Sequence, residues 1–189
     1  MTSTKLTALI LASIFSAITA ILAQIQFQAF IVPFSGQTLA VGLTATILGS
    51  KIGALAMFCY MLLGLIGIPV FAGFESGPHV LIGPTGGYII GFIATAYITG
   101  KILEKTSFNM WMAIIANIVG MCVTLTFGVI QLKFIADLSW HAAIVSGALP
   151  FLIVGIIKAI LASWIGIVVR RSLENAKLLP VNHSIKKAV

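Results

Sequence analysis

Long intervals without a charged side chain are the feature of this sequence that most restricts its fold. Asp, Glu, Lys and Arg are absent from residues 6–50, 52–74, 76–100, 106–132 and 138–157. A membrane-spanning helix needs about 20 mostly apolar residues, and these intervals have room for about six such helices. Soluble domains carry about 25% charged residues, whereas this chain of 189 residues carries 8%. The sequence therefore predicts an all-α membrane protein in which residues 1–189 form one domain of six transmembrane helices.

Basic residues at the ends of the predicted spans indicate the orientation of the chain in the bilayer. The six spans are residues 5–29, 37–49, 52–68, 87–102, 109–134 and 150–171. The side that holds both termini receives nine basic residues: Lys5, Lys51, Lys101, Lys105, Arg170, Arg171, Lys177, Lys186 and Lys187. The opposite side receives only Lys133. Because Lys and Arg are enriched on the cytoplasmic side, both termini are predicted to be cytoplasmic. The net charge of +7 thus reflects membrane topology, and nucleic acid is not a predicted partner.

The segment between spans 3 and 4 cannot continue either helix. Residues 69–91 hold three of the six prolines and six of the 18 glycines, and these residues interrupt helices. The same segment contains large apolar side chains, among them Phe71 and Phe74. Non-helical backbone at membrane depth is tolerated where protein buries it or where it lines a cavity. We interpret this Gly/Pro-rich stretch as a re-entrant loop that forms the lid and wall of a binding pocket; a purely structural loop is the alternative.

Lys158 is a basic residue inside a predicted span. It lies eight residues after Pro150 and twelve before Arg170, which places it roughly 12 Å below the outer end of span 6. An ionisable residue at such a depth is a functional hypothesis by default. The alternative is that its side chain extends to the interface, but the depth exceeds what a lysine stem comfortably spans. An inward-facing cation on the lid side suits an anionic ligand that enters from outside.

Other residues of the outer half are candidates for contact with a ligand. Gln37 begins span 2 with an amide, and Tyr88 ends the GPTGGY turn with an amphipathic ring. Gly86, in the same turn, is a position where a backbone can approach a ligand closely. Glu75 is the acidic residue of the loop and can either pair with Lys158 or accept hydrogen bonds from a ligand. Each also has an ordinary interpretation as helix-end chemistry or, for Glu75, as a solvated carboxylate.

Small residues recur along span 1 at a spacing of four: Ala8, Ala12, Ser16 and Ala20. Ser13 and Ala17 lie beside that row. Such a stripe lets a second helix approach closely within lipid. From the spacing alone, a partner-docking face and internal packing are equally supported.

Motifs of several enzyme classes are missing. The sequence contains no GxxxxGK[ST] phosphate loop, no GxSxG and no HExxH, so hydrolysis by those routes lacks its parts. His79 and His141 have no companions at metal-ligand spacing. No catalytic residue, metal or cofactor is predicted, and an intramembrane enzyme or a structural membrane protein is the competing interpretation.

Four segments resemble the BioY family, the biotin-binding S components of energy-coupling-factor (ECF) transporters. They are VPFSGQTLAV (32–41), LGSKIGALAMFCYMLLGLIGIPVFAG (48–73), LIGPTGGYIIGF (81–92) and LPFLIVGIIKAILASW (149–164). The resemblance implies a six-helix bundle in a bacterial cytoplasmic membrane that binds biotin near the outer surface, beneath the loops after spans 1, 3 and 5. It also implies docking through Ala8, Ala12 and Ser16 onto a transmembrane coupling subunit driven by two ATP-binding subunits.

The resemblance implies site residues and also exposes departures from the family pattern. Within the matching motifs, Phe71, Gly73, Gly86 and Tyr88 lie in the loop and turn, and Gly155 and Lys158 lie on span 6. The family commonly has Asp where this chain has Gly155, and some members have Arg at the position of Ile89. We hypothesise that Glu75 supplies the hydrogen-bond acceptor that Gly155 lacks. Another vitamin or a biotin precursor is an alternative ligand, and the Lys158 ammonium can meet either the carboxylate or the ureido oxygen of biotin.

Overall fold

The computed structural model describes residues 3–27 and 31–179, which form a bundle of helices. The helices are α1 (Ser3–Ala23), α2 (Gln37–Leu48), α3 (Ser50–Leu65), α4 (Pro78–Ile82), α5 (Gly86–Lys105), α6 (Met110–Ile135), α7 (Trp140–Gly147) and α8 (Leu149–Asn175). Strands β1 (Gln26–Phe27) and β2 (Phe34–Ser35) pair antiparallel, and Ala72–Phe74 form a single 3₁₀ turn. The prediction of an all-α protein is therefore confirmed.

The first helix ends earlier than predicted. The prediction extended span 1 to Ala29, which lies outside the described residues, whereas α1 ends at Ala23. Polar and apolar residues alternate from Gln24 to Phe27, and this period of two favours a strand over a helix. β1 then pairs with β2, and the Phe27 ring stacks on that of Phe34 at 4.8 Å between centroids. The connection between α1 and α2 is thus a hairpin that covers one end of the bundle.

Helices α2 and α3 are short and are joined by one glycine. Gly49 has a φ of +79°, a conformation that only glycine adopts readily, and it separates the two helices. The Glu104 carboxylate of α5 accepts hydrogen bonds from Ser50 N at 2.7 Å and from Ser50 Oγ at 2.8 Å. This carboxylate satisfies a backbone donor that the first turn of α3 leaves without an intrahelical partner.

The Gly/Pro-rich segment between α3 and α5 folds onto the bundle. Phe71 is 1% exposed, and its ring lies against Gly64 of α3, where a side chain would clash. Gln131 of α6 donates from Nε2 to Leu81 O and Gly83 O at 2.7 and 2.8 Å. The 3₁₀ turn and α4 are therefore anchored to two different long helices.

A helix occupies part of the connection between predicted spans 5 and 6. Residues Trp140–Gly147 form α7, and Ser139 caps it by accepting a hydrogen bond from Ala142 N at 3.2 Å. Serine is a favoured N-cap because its hydroxyl pairs with a free backbone donor. α7 and α8 follow each other almost without interruption.

Apolar side chains cover much of the outer surface of the bundle. Ile153 on α8, for example, is 74% exposed, and large exposed apolar surfaces mark contact with lipid or a partner. Among the described residues, four segments are long and apolar enough to cross a membrane: Lys5–Ala23, Gly86–Lys105, Met110–Ile135 and Trp140–Asn175. Two shorter apolar helices, Gln37–Leu48 and Ser50–Leu65, pack among them. The protein is a multi-pass membrane protein.

Candidate functional site

A cavity of about 560 Å³ lies beneath the hairpin and the Gly/Pro-rich loop. Its upper wall is formed by residues of the β1–β2 hairpin and of the loop, and its lower wall by helices α2, α5, α6 and α8. The volume falls within the range of about 300–1,000 Å³ that is typical of small-molecule sites. The segment predicted to be a lid thus borders a cavity of that size.

Lys158 of α8 lines this cavity near its upper end. Its Nζ donates hydrogen bonds to Ser35 O at 2.7 Å and to Thr38 Oγ1 at 3.1 Å. Neither acceptor carries a charge, and no ion pair of Lys158 is found within the described part of the chain. The ammonium is oriented by neutral oxygens, without a carboxylate partner.

Gln37 lies under the hairpin in a chain of hydrogen bonds. Its Oε1 accepts from Ser35 Oγ at 2.8 Å, and its Nε2 donates to the Tyr60 hydroxyl at 2.6 Å. Tyr60 in turn donates to Val70 O at 3.0 Å. Gln37 lines the cavity, and these bonds fix the orientation of its amide; among the described residues, no partner of its second N–H is found.

The loop places its three predicted residues at different depths. Phe71 is buried in the cavity wall, where it meets Tyr60 edge-on at 5.6 Å between ring centroids. Gly73 lines the upper edge with a φ of +76°. Glu75 also lines the cavity, but it is exposed and forms no ion pair with Lys158. Glu75 therefore lies at the rim of the cavity, where its carboxylate is in contact with solvent.

Gln24, at the end of α1, ties the loop to the rest of the protein. Its Nε2 donates to Phe71 O at 3.1 Å, and its Oε1 accepts from Phe74 N at 2.9 Å. Phe74 has a φ of +60°, a backbone conformation that is uncommon for a bulky residue. The hydrogen bonds to Gln24 hold the tip of the loop above the cavity.

Tyr88 and Gly86, both from the GPTGGY turn, have different positions. Tyr88 lines the cavity, packs against Gly128 and donates to Gly147 O at 2.7 Å. Gly86 does not line it: a side chain there would clash with Leu81 O. The glycine is therefore required for packing between α5 and α4, and its contact with a ligand stays a prediction.

The predicted docking stripe on α1 faces inward for the most part. Ala12 and Ser16 are fully buried, and α1 packs chiefly against α3. Ala8 is half-buried, whereas Ser13 and Ala17 are exposed. The burial of Ala12 and Ser16 favours packing within the chain, and docking of a partner on this stripe stays a prediction.

A family model described as the BioY family matches residues 1–175. The chain belongs to the BioY family. A protein named biotin transporter BioY2, from Lactococcus lactis subsp. cremoris (strain MG1363), is 41% identical over 175 residues, covering 93% of this chain and 96% of that protein. Biotin transporter BioY from Thermotoga maritima (strain ATCC 43589) is 39% identical over 160 residues, covering 84% and 93%. The resemblance inferred from the four segments is confirmed.

A solved structure has the same fold as this BioY chain. It is the crystal structure of the S-component for biotin from an ECF-type ABC transporter. The TM-score is 0.81 at 28% sequence identity, over 90% of this chain and 94% of that one. The comparison therefore extends over almost the whole bundle.

Gly155 leaves one wall of the cavity of this BioY protein without a polar group. It lies three residues before Lys158 on α8 and lines the cavity. A side chain built at Gly155 would meet Met121 of α6, so this part of the wall is apolar. Any acceptor for a ligand must come from another element.

Three polar residues at the lower end of the cavity were missed by the sequence reasoning. Thr95, Asn117 and Thr124 line the cavity, and each is at most 5% exposed. Asn117 lies within the apolar run of α6, and a polar residue at the centre of a span is a signal for function or for helix packing. That signal was available, but threonine and asparagine also bond within helices, so sequence could not separate the two roles.

Proposed function

We propose that this chain is the substrate-binding subunit of an ECF-type ABC transporter and that it captures biotin for uptake. The observation that carries the proposal is the cavity beneath the loop with the uncompensated ammonium of Lys158 in its wall. Membership of a family whose named relatives are biotin transporters supports the choice of ligand. Those relatives are transporters, so a catalytic function is not proposed.

The chemistry of biotin matches the residues of the cavity. Biotin has an apolar bicycle and chain, a ureido group with two N–H donors and one acceptor, and a carboxylate. Sites for such ligands are mostly apolar, with a few placed polar groups. Phe71 and Tyr88 provide aromatic walls and Gln37 an amide, while Lys158 provides a positive charge. Gly73 and Gly155 line the cavity beside them and bring no side chain of their own. We assign the ligand contacts to these residues.

The proposed membrane arrangement has six spans, with both termini on the cytoplasmic side of a bacterial cytoplasmic membrane. α2 and α3 hold 12 and 16 residues, or roughly 18 and 24 Å of helix, against a hydrocarbon core of about 30 Å. The connecting residues of the hairpin and the re-entrant loop complete their passage. The distribution of Lys and Arg supports this orientation, which opens the cavity outward. Residues 1–189 form one domain in this proposal.

The proposed partners are a transmembrane coupling subunit and two ATP-binding subunits. The chain carries no phosphate loop of its own, so ATP hydrolysis belongs to other subunits. Ser13 and Ala17 are small and exposed on α1, next to half-buried Ala8. Small residues allow close helix approach in lipid, and this face is proposed as the docking surface in place of the buried Ala12 and Ser16.

The proposal is tested by purifying the protein in detergent without added ligand and assaying the released material for biotin. Isothermal titration of ligand-free protein then measures the dissociation constant. We expect co-purified biotin and saturable binding, without conversion of the biotin. A folded protein that neither retains nor binds biotin would refute the proposal, and chemical turnover by the protein alone would favour an enzyme. Tighter binding of dethiobiotin than of biotin would identify the precursor as the ligand.

A further inference from the structure

The floor of the cavity is built from Thr95, Asn117 and Thr124, beside Gly42. Gly42 follows Thr38 by four residues on α2. The floor therefore lies about 6 Å, or roughly one helical turn, below Thr38, whose hydroxyl accepts a hydrogen bond from Lys158. The three polar side chains are almost completely buried. Buried polar groups require partners. The hydrogen bonds that these side chains already make therefore determine which groups of a ligand the floor can bind.

The amide nitrogen of Asn117 already makes hydrogen bonds within the protein. Nδ2 has two protons to share among three oxygens within hydrogen-bond distance: Thr46 Oγ1 at 2.9 Å, Ala113 O at 3.0 Å and Ser163 Oγ at 3.1 Å. A backbone carbonyl can only accept, and the Ser163 hydroxyl already donates to Ala159 O at 2.7 Å. These neighbours fix the nitrogen on their side, so the carbonyl oxygen must point the other way.

The oxygen of Asn117 faces α2 at a position without a side chain. A Cβ placed at Gly42 would lie 2.6 Å from Asn117 Oδ1. Within the described residues, no hydrogen bond to this oxygen is found. Glycine at position 42 thus leaves a carbonyl acceptor at the cavity floor.

The hydroxyl protons of the two threonines are also committed. Thr95 donates to Gly120 O at 3.0 Å, and its oxygen lies 2.6 Å from Thr124 Oγ1. Since the Thr95 proton is used, Thr124 is the donor between them. The side-chain oxygens of the floor can still accept hydrogen bonds, but each of its hydroxyl and amide donors already has a partner.

We propose that this floor binds the ureido N–H groups of the ligand, so that the ligand carboxylate points up toward Lys158. A floor that offers only acceptors penalises a carboxylate, which brings only acceptors, and suits a group that brings donors. This inference rests on the proposed function. Gly155 has no side chain to accept hydrogen bonds from the ureido N–H groups, and the inference assigns that role to Asn117 and its neighbours instead of exposed Glu75. It also fixes the orientation of the ligand in the cavity.

The test measures biotin affinity by titration for Asn117→Leu, Thr95→Val and Thr124→Val. We expect Asn117→Leu to weaken binding at least tenfold and each threonine variant about threefold, as loss of buried acceptors predicts. Thr99→Val is the matched control, because Thr99 makes the same kind of bond from α5 to α6, to Ala116 O at 3.2 Å, but does not line the cavity. It should bind biotin within twofold of the unaltered protein.

Modified ligands test the same inference on the unaltered protein, which removes any question of folding. Biotin methylated at a ureido nitrogen should bind at least tenfold more weakly than biotin. With biotin methyl ester, Asn117→Leu should lose the same factor as with biotin, while Lys158→Met should lose little. If unaltered protein binds biotin but tolerates ureido methylation, or if Asn117→Leu is harmless, the floor assignment is wrong while the proposed function stands. If the unaltered protein does not bind biotin, both fail.

Discussion

Two cations on α8, Lys158 and Arg170, have opposite surroundings although the same helix carries them. Arg170 donates to Ile47 O at 2.7 Å, its guanidinium carbon lies 3.4 Å from the centroid of the Phe108 ring, and its Nε lies 2.8 Å from Glu174 Oε1. Lys158 has two neutral oxygens and an open cavity. Arg170 has an opposite charge beside it, whereas no ion pair of Lys158 is found among the described residues.

This difference separates a structural charge from a binding charge. A charge held away from water is costly unless an opposite charge and hydrogen bonds compensate it. Arg170 has an opposite charge and hydrogen bonding of this kind, and it links the end of α8 to the end of α2 and to Phe108 in the connection between α5 and α6. Lys158 is held in position but not neutralised, which is the condition in which an anionic ligand gains most from binding. The comparison therefore makes separate predictions for affinity and for stability.

The largest expected effect is that of Lys158→Met on biotin binding. Methionine keeps the length and much of the volume of the side chain but removes the charge that we assign to the carboxylate. Loss of a charge-assisted contact in a desolvated site should raise the dissociation constant about 100-fold. Isothermal titration measures it, and the melting temperature should hardly change.

Lys133→Met is the matched control for that change. Lys133 also lies toward the cavity end of the bundle, but its ammonium lies over the rings of Phe134 and Trp140, at 4.7 and 5.2 Å. The control removes the same charge without touching the cavity. Equal losses in the two variants would show that general electrostatics, and not the cavity, explains the effect of Lys158.

Arg170→Met should reverse the pattern. It leaves Ile47 O and Glu174 without their partner, and an unpaired buried polar group should cost about 2 kcal/mol of stability. Thermal unfolding in detergent measures this loss, while the affinity of the folded fraction for biotin should stay the same. Arg171→Met is the control, because Arg171 is the exposed neighbour of Arg170. An unchanged melting temperature for Arg170→Met would contradict the structural role.

Gln24→Ala should have a smaller effect, confined to kinetics. Gln24 holds the loop by hydrogen bonds to Phe71 O and Phe74 N, and a loosened loop opens more often. We expect the dissociation rate of biotin to rise roughly fivefold, in line with the loss of about 1 kcal/mol of hydrogen bonding. Release of labelled biotin into an excess of unlabelled ligand measures the rate. If the rate does not change, the loop is held closed by its apolar packing alone.

The sequence was most informative where one residue type excludes alternatives. Charge-free intervals predicted the helical membrane protein, and a lysine within a predicted span made Lys158 a candidate for ligand binding, because few environments tolerate a buried ammonium. The hairpin and α7 were missed because they depend on short local patterns. Gly86 and Ala12 pack within the chain, which the sequence did not indicate, since spacing identifies a helix face but not what packs against it. The acceptor floor was invisible to sequence because it depends on which protons are already used.

The smallest predicted effect belongs to Glu75→Gln, and its sign distinguishes two accounts of the cavity. Glu75 is exposed at the rim, so in the floor-bound orientation its charge lies on the path of the ligand carboxylate and repels it weakly. Removing a rim charge acts mainly on association and is screened by salt, so we expect the association rate to rise about twofold at low ionic strength and to be unchanged at high salt. Stopped-flow measurements at two salt concentrations give this directly. Binding that weakens more than twofold would instead place the ureido acceptor on the loop, as the sequence hypothesis for Glu75 requires.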